Sequence, residues 1–173
     1  MKKLSFVLVA FIAISLCISC QKTKKLSNSE DVGPYVLELL RNFDTTTPED
    51  FKNSLFTLEE IKAFGEKYKD SIPAEAIQSI ELLKKEAYDK RINSAYEDIK
   101  NGGENYNIDW NAIDFYRFNS DKQTNGGLTG IRGELQFTFN DTIYTVRTTA
   151  LLIEEKYIPV IVNRLRQKER VPK

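Results

Sequence analysis

The chain has 173 residues, with 25 basic and 25 acidic side chains and no histidine. The lack of histidine excludes Ser-His-Asp hydrolysis, Cys-His catalysis and histidine-based zinc sites, because each of these needs an imidazole. The balanced charge, without a basic stripe, also excludes nucleic acid as a good partner, since phosphate backbones attract strongly basic surfaces.

The chain begins with a short charged segment and a long apolar one. Lys2 and Lys3 are followed by an almost unbroken apolar run over residues 4–18. This layout is typical of a secretory signal peptide. The run is shorter than the roughly twenty apolar residues that a membrane-spanning helix needs. We therefore predict that residues 1–19 are a signal peptide that is cleaved.

The apolar run ends in Leu16-Cys17-Ile18-Ser19-Cys20. This stretch resembles the lipobox of bacterial lipoproteins, in which an aliphatic and a small residue precede the cysteine that is acylated. It departs from the usual pattern at Cys17, where the family has Leu. The resemblance implies that Cys20 becomes the first residue of a lipoprotein and carries fatty acyl chains such as palmitate. The alternative is an ordinary secretory signal followed by an incidental cysteine.

Residues 20–32 are polar and lysine-rich, which predicts a flexible tether. Residues 33–166 form one domain by length and pattern, and the charged residues 167–173 are expected to lack structure. Removal of residues 1–19 takes away two lysines, so the formal charge falls to about minus two. The processed chain keeps Cys20 alone, and its domain must be stable without a disulfide.

Helical signals come first along the domain. Apolar residues at helical spacing predict a helix over residues 35–43. Thr47-Pro48-Glu49-Asp50 is a helix start with a cap residue and a proline at the first helical position. Thr57-Leu58-Glu59-Glu60 fits a capping box and predicts a third helix that ends before Ser71.

A longer helix is predicted to begin at Pro73. Apolar residues recur at three- and four-residue steps as far as Ile99, and Asn101-Gly102-Gly103 supplies a stop. Such a helix would be roughly 40 Å long. Its apolar stripe is interpreted as a face packed on a sheet, in preference to a ligand face or a coiled-coil seam.

The last third of the chain changes to strand periodicity, with apolar and polar residues in alternation. Asn140-Asp141 predicts a two-residue hairpin turn, and Asn125-Gly126-Gly127 predicts another loop. Pro159 indicates an edge strand or a bulge. The predicted strands cover residues 113–118, 131–139, 142–154 and 157–165.

The predicted fold class is α+β, with N-terminal helices, one of them long, packed on a three- to four-stranded C-terminal antiparallel sheet. This element order, and the pattern Gly-x-Leu-x-Phe-x-Phe-Asn-Asp-x-x-Tyr over residues 133–144, resemble the small cystatin-like or nuclear-transport-factor-2-like lipoproteins of diderm bacteria. The resemblance implies a cone-shaped domain whose sheet and helices enclose a pocket. It includes no catalytic motif, so no functional residue is carried over.

The segment between helices and sheet has the most varied side chains. Trp110, Tyr116 and Arg117 are the candidate lining of a pocket, with aromatic area for burial and a guanidinium for an anionic group. The alternative is a core tryptophan at a strand start, with surface charges after it. Asp109 and Asp114 could form a carboxylate pair, but nothing sets the pKa of one apart from that of the other.

The sequence thus predicts an envelope lipoprotein that is a non-enzymatic binding or protein-interaction module. Its expected partner is an envelope protein or a small apolar ligand, and no cofactor or metal is predicted. The alternative is a pocket enzyme that uses carboxylate or Tyr/Lys acid–base chemistry. Lysines follow Cys20, where surface-exposed lipoproteins often carry acids, so we expect a periplasm-facing position on the outer membrane.

Overall fold

The computed structural model describes residues 24–170, apart from the side chains of the last two. The predicted signal peptide and Cys20 lie outside these residues. The helices are α1 (Val32–Arg41), α2 (Pro48–Asn53), α3 (Leu58–Tyr68), α4 (Ala74–Glu81) and α5 (Lys85–Asn105). The strands are β1 (Asp114–Asn125), β2 (Leu128–Phe139), β3 (Thr142–Ile153) and β4 (Lys156–Arg170), in one antiparallel sheet of order β1-β2-β3-β4. The predicted α+β class is confirmed.

Two predicted helix starts are confirmed as capping boxes. At α3, the hydroxyl of Thr57 accepts a hydrogen bond from the amide of Glu60 at 3.3 Å, and the Glu60 carboxylate accepts one from the amide of Thr57 at 2.8 Å. Thr47 and Asp50 make the same exchange at α2, after which Pro48 begins the helix. Each box satisfies amides that the first turn leaves open, so both helices begin where the sequence places them.

The single long helix predicted from Pro73 is wrong, because the chain breaks into α4 and α5. Lys84, between them, has an extended backbone with φ −81° and ψ 148°. The Nζ atom of Lys62 on α3 donates to the carbonyl oxygens of Ile80 and Glu81, at 2.5 and 2.9 Å. The last carbonyls of α4 are thereby satisfied by a side chain from a neighbouring helix, which allows the helix to end.

The predicted stop at Gly102-Gly103 is also wrong, since α5 continues through both glycines to Asn105. A Cβ atom built on Gly103 would lie 2.5 Å from Cζ2 of Trp110, and one on Gly102 would lie 2.8 Å from Cδ2 of Leu165. The glycines therefore give α5 its close approach to the indole and to β4, instead of terminating the helix.

The two glycines should respond differently to alanine. In Gly103→Ala the new methyl meets a rigid, buried indole, so we expect a loss of about 1–3 kcal/mol in the free energy of unfolding, as in overpacked cores. In Gly102→Ala the methyl meets the flexible end of Leu165, and the gain in helix propensity of about 1 kcal/mol offsets the contact. Urea unfolding of both variants measures the difference; equal losses would contradict the role assigned to Trp110.

The hairpin turns have the left-handed backbone that two-residue turns require. Asn140 and Asp141 have φ of 47° and 56°, which confirms the predicted turn. Gly126 and Gly127 form the first turn, with φ of 54° and 74°. The third turn lies at residues 154–155, one residue earlier than the gap between the predicted strands 142–154 and 157–165.

Both ends of the domain are more ordered than the sequence suggests. Residues 167–170, predicted to be an unstructured tail, form the end of β4 and pair with the start of β3. Within the predicted tether, Leu26 and Tyr157 exchange backbone hydrogen bonds of 2.9 and 2.8 Å. The Nζ atom of Lys24 donates to Leu55 O at 2.7 Å and to Glu60 at 2.6 Å. The tether is thus bound to the domain from Lys24 onward.

The outer edge of β4 is covered by contacts from three parts of the chain. Besides Leu26, the amide of Phe56 donates to Pro159 O at 2.7 Å. Farther along, the carboxylate of Asp98 on α5 accepts from the amides of Arg164 and Leu165, at 2.6 and 3.3 Å. Arg164 has φ of 60° at an irregularity of β4, and Pro159 lies at another, as its sequence position predicts.

One face of the sheet carries the hydrophobic core. Leu135 and Phe137 of β2 stand opposite Val146 and Tyr144 of β3, all buried beneath the helices. The residues that alternate with these along β2 and β3 point to the other face of the sheet. There, in the half of the sheet nearest the β2–β3 turn, arginine side chains are exposed. The domain therefore has a helical side and an arginine-bearing side.

Candidate functional site

The structure separates the three residues predicted to line a pocket. Trp110 is only 4% exposed and packs on the helical side, with its ring centroid 5.5 Å from that of Phe43 and 6.2 Å from that of Phe137. Tyr116 lies at a bulge of β1 and is 40% exposed. Arg117 points to the other face of the sheet, where it meets Gln136. Trp110 is thus a core residue, and it shares no pocket with Arg117.

An open groove of about 480 Å³ instead follows the solvent side of α1. Its walls are mostly apolar, with charged groups at the rim. Tyr35 is anchored in it by a hydrogen bond of 2.7 Å from its hydroxyl to Ser54 O. Burial raises the pKa of Tyr35 to about 12. The groove is lined by Leu26, Asp31, Pro34, Tyr35, Leu37, Glu38, Arg41 and Phe115.

Arg41 forms a fixed end of this groove. Its Nε and Nη2 atoms donate to Ile113 O at 3.2 and 3.0 Å, and its Nη1 atom donates to Glu38 at 2.8 Å. Nη2 also lies 3.5 Å from the carboxylate of Asp114. Because these donors are already engaged, Arg41 shapes the rim and holds α1 against the start of β1.

Exposed aromatic side chains stand at the β1 side of the groove. Phe115 is 45% exposed, although it faces the helical side opposite the fully buried Phe137. Tyr116 follows it directly. Leu82 is the other large apolar side chain exposed among the residues described, and it lies between α4 and α5. Exposed aromatic residues are enriched at protein interfaces, so the β1 side of the groove is the best candidate contact surface.

The opposite side of the sheet carries a second polar constellation, which we call the arginine face. Arg117, Gln136, Thr145 and Arg166 stand in register across the four strands. In the neighbouring row, Glu134 stands opposite Arg147, and Nζ of Lys168 lies 3.8 Å from Glu134. The arginine face comprises Arg117, Glu134, Gln136, Thr145, Arg147, Arg166 and Lys168.

Gln136 organises this face. It is only 1% exposed, and its side-chain oxygen accepts a hydrogen bond of 2.8 Å from Nε of Arg117. Its amide nitrogen donates to Glu134 at 2.9 Å. The guanidinium of Arg117 lies 5.7 Å from the ring centroid of Tyr116. Arg117 is therefore held by Gln136 and Tyr116 and remains exposed.

Hydrogen bonds lower the pKa of several carboxyl groups of the domain. Hydrogen bonds from Lys67 and Tyr68 lower the pKa of Glu154. Burial acts in the opposite direction on Glu60, but hydrogen bonds from Lys24 and Thr57 outweigh it, and the pKa of this carboxyl is lowered too. A carboxyl group with a lowered pKa is a weak general base and a rare proton donor at neutral pH.

Comparison with protein-family models gives no match, and comparisons with curated proteins and with solved structures give none either. Within residues 24–170 no cluster of three Cys, Asp or Glu side chains is placed to hold a metal ion. In the same part of the chain, every helix is too short or too polar to cross a bilayer.

Proposed function

We propose that the chain is a membrane-anchored lipoprotein of the bacterial cell envelope whose domain is a non-enzymatic binding module. In this proposal Cys20 carries the acyl chains, on the periplasmic side of the outer membrane, and the domain is of the cystatin-like or nuclear-transport-factor-2-like type. The α1 groove receives the partner. The observation that supports a binding role is the pair of exposed aromatic residues, Phe115 and Tyr116, beside this mostly apolar groove.

The chemistry of the groove favours an apolar partner. Tyr35 and Arg41 have their donors engaged within the domain, so they offer little new hydrogen bonding. Affinity must then come from covering apolar surface, at about 25 cal/mol per Å². An apolar segment of another envelope protein is the preferred occupant, because exposed Phe115 and Tyr116 extend the contact beyond the groove. A small apolar ligand is the other candidate.

The alternative function, a pocket enzyme with carboxylate or Tyr/Lys chemistry, would place its acid or base in the groove. The phenol there, Tyr35, has a pKa raised to about 12 and donates its proton to Ser54 O. A phenol in this state does not abstract a proton near neutral pH. Tyr35 therefore does not supply the base that the alternative function would need in the groove.

The test is to isolate the acylated protein from its own membrane after brief chemical crosslinking, and to identify bound proteins and small molecules by mass spectrometry. Phe115→Asp places a charge in the contact and should reduce capture of the partner at least tenfold, a loss of about 1.4 kcal/mol or more. Leu82→Asp is the matched control, since Leu82 is more exposed, at 68%, and lies outside the groove.

A partner captured by the wild type and by Leu82→Asp, but lost with Phe115→Asp, would support the proposal. Equal capture by both variants would remove the groove as the binding site. Turnover of a co-purified small molecule would favour the enzyme instead.

A further inference from the structure

The arginine face is more positive than the rest of the chain. It contains four cationic side chains, Arg117, Arg147, Arg166 and Lys168, and one carboxylate, Glu134, although the whole sequence carries equal numbers of acids and bases. The row beyond Arg147 is neutral, because Arg132 there stands opposite Asp121, and the row on the other side of the face brings Glu169 opposite Ile143. The excess of positive charge is thus confined to one half of one sheet face.

The cations of this face are available to a partner. Arg117, Arg147 and Arg166 are exposed. Within the described part of the chain, Arg147 and Arg166 make no side-chain hydrogen bond or ion pair, and Arg117 uses only its Nε atom, on Gln136. Guanidinium groups with free Nη atoms bind phosphate oxygens in a two-pronged geometry. Their spread over three of the four strands, β1, β3 and β4, suits a broad anionic surface better than a single small anion.

The length of the tether puts such a surface within reach. Lys24 is fixed to the domain through Leu55 and Glu60. Only residues 21–23 separate it from Cys20, and this stretch spans about 14 Å when fully extended. If Cys20 is acylated, the domain therefore cannot leave the neighbourhood of the lipid headgroups.

We propose that the arginine face lies on anionic phospholipid headgroups of the membrane to which Cys20 is attached. This rests on the proposed lipoprotein function. Lys24 is docked near Pro159 at the edge of β4, and Arg166 is seven residues farther along the strand, about 23 Å at the rise of an extended chain. Lys24 and Arg166 can both lie near the headgroups only if the strands run parallel to the membrane plane. The α1 groove, on the helical side, faces away from the bilayer and is open to a partner.

The experiment measures binding of the processed chain, residues 20–173 with Cys20→Ser, to lipid vesicles by co-sedimentation. The vesicles are pure phosphatidylcholine, or phosphatidylcholine with a phosphatidylglycerol fraction of one third. Because this chain has no acyl group, the result is independent of whether Cys20 is acylated in the host. We expect binding to the anionic vesicles only, and its loss in high salt.

Two charge-matched double variants locate the contact. Arg147→Gln with Arg166→Gln should weaken binding to the anionic vesicles roughly 25-fold, since one arginine near such a surface contributes about fivefold. Lys90→Gln with Arg91→Gln removes the same charge from exposed positions on α5. Because salt screens charges that lie far from the contact, this pair should change binding less than threefold. Thermal unfolding verifies that both variants are folded.

Equal weakening by the two pairs would overturn the proposal, because net charge and not this face would then govern binding. Absence of binding to anionic vesicles would also overturn it, as would binding of an acidic protein to this face in place of the vesicles. An intact-mass measurement that finds Cys20 unmodified in the host would refute the anchor while leaving the vesicle result unaffected.

Discussion

Phe137→Ala is expected to cost about 3–5 kcal/mol of the free energy of unfolding, as large-to-small substitutions of buried aromatic residues do. Phe137 is fully buried. Its ring lies against Trp110, and it stacks on Tyr144 with a centroid distance of 5.7 Å. Since domains of this size are stable by about 5–15 kcal/mol, the variant should lose a large part of its stability. Urea or thermal unfolding measures the loss.

The matched control is Phe115→Ala, because Phe115 stands directly opposite Phe137 in the β1–β2 register and on the same side of the sheet. It is 45% exposed, so its substitution should cost about 1 kcal/mol, in proportion to the smaller area it buries. Similar losses for the two variants would mean that the core is not centred where the structure places it.

Cys20→Ser is expected to abolish acylation and with it stable membrane attachment. In the proposed lipoprotein the sulfur of Cys20 accepts the lipid, and stable anchoring takes two or more acyl chains, each contributing about 0.8 kcal/mol per buried CH₂. Intact-mass spectrometry of the protein from its host checks the modification. Phase partition in a mild detergent checks attachment.

Cys17→Ser provides the control, since Cys17 lies within residues 1–19, the predicted signal peptide. We expect this variant to be cleaved and acylated like the wild type. An unmodified thiol at Cys20 in the wild-type protein, or a retained leader, would contradict the lipoprotein prediction and leave an ordinary secreted or retained chain.

Local chemistry made much of the fold predictable. The caps at Thr47 and Thr57 and the turn at Asn140 act within four residues, so the sequence contains all their partners. The break between α4 and α5 depends on Lys62, some eighteen residues away, and apolar spacing cannot report it. The same holds for the glycines of α5, whose helical conformation depends on Trp110 and Leu165.

The candidate surfaces were predictable only in part. The turn at Asn140 fixes the β2–β3 register, so it could have placed Gln136 beside Thr145 and Glu134 beside Arg147. The position of Arg166 could not be obtained in this way, because β4 pairs with β3 through three irregularities. The α1 groove includes Leu26, which the sequence assigns to a flexible tether. Trp110 is a core residue, as the alternative interpretation of its segment predicts.

The covered edge of β4 also limits how copies of this chain can associate. Leu26, Phe56 and Asp98 occupy backbone groups along β4, whereas β1 is exposed over nearly its whole length. An exposed edge can pair with another strand, and within residues 24–170 this edge is β1. Two copies joined β1 to β1 would form a closed two-fold dimer with no edge left for a third. Further growth of the sheet would have to displace Leu26, Phe56 and Asp98 from β4.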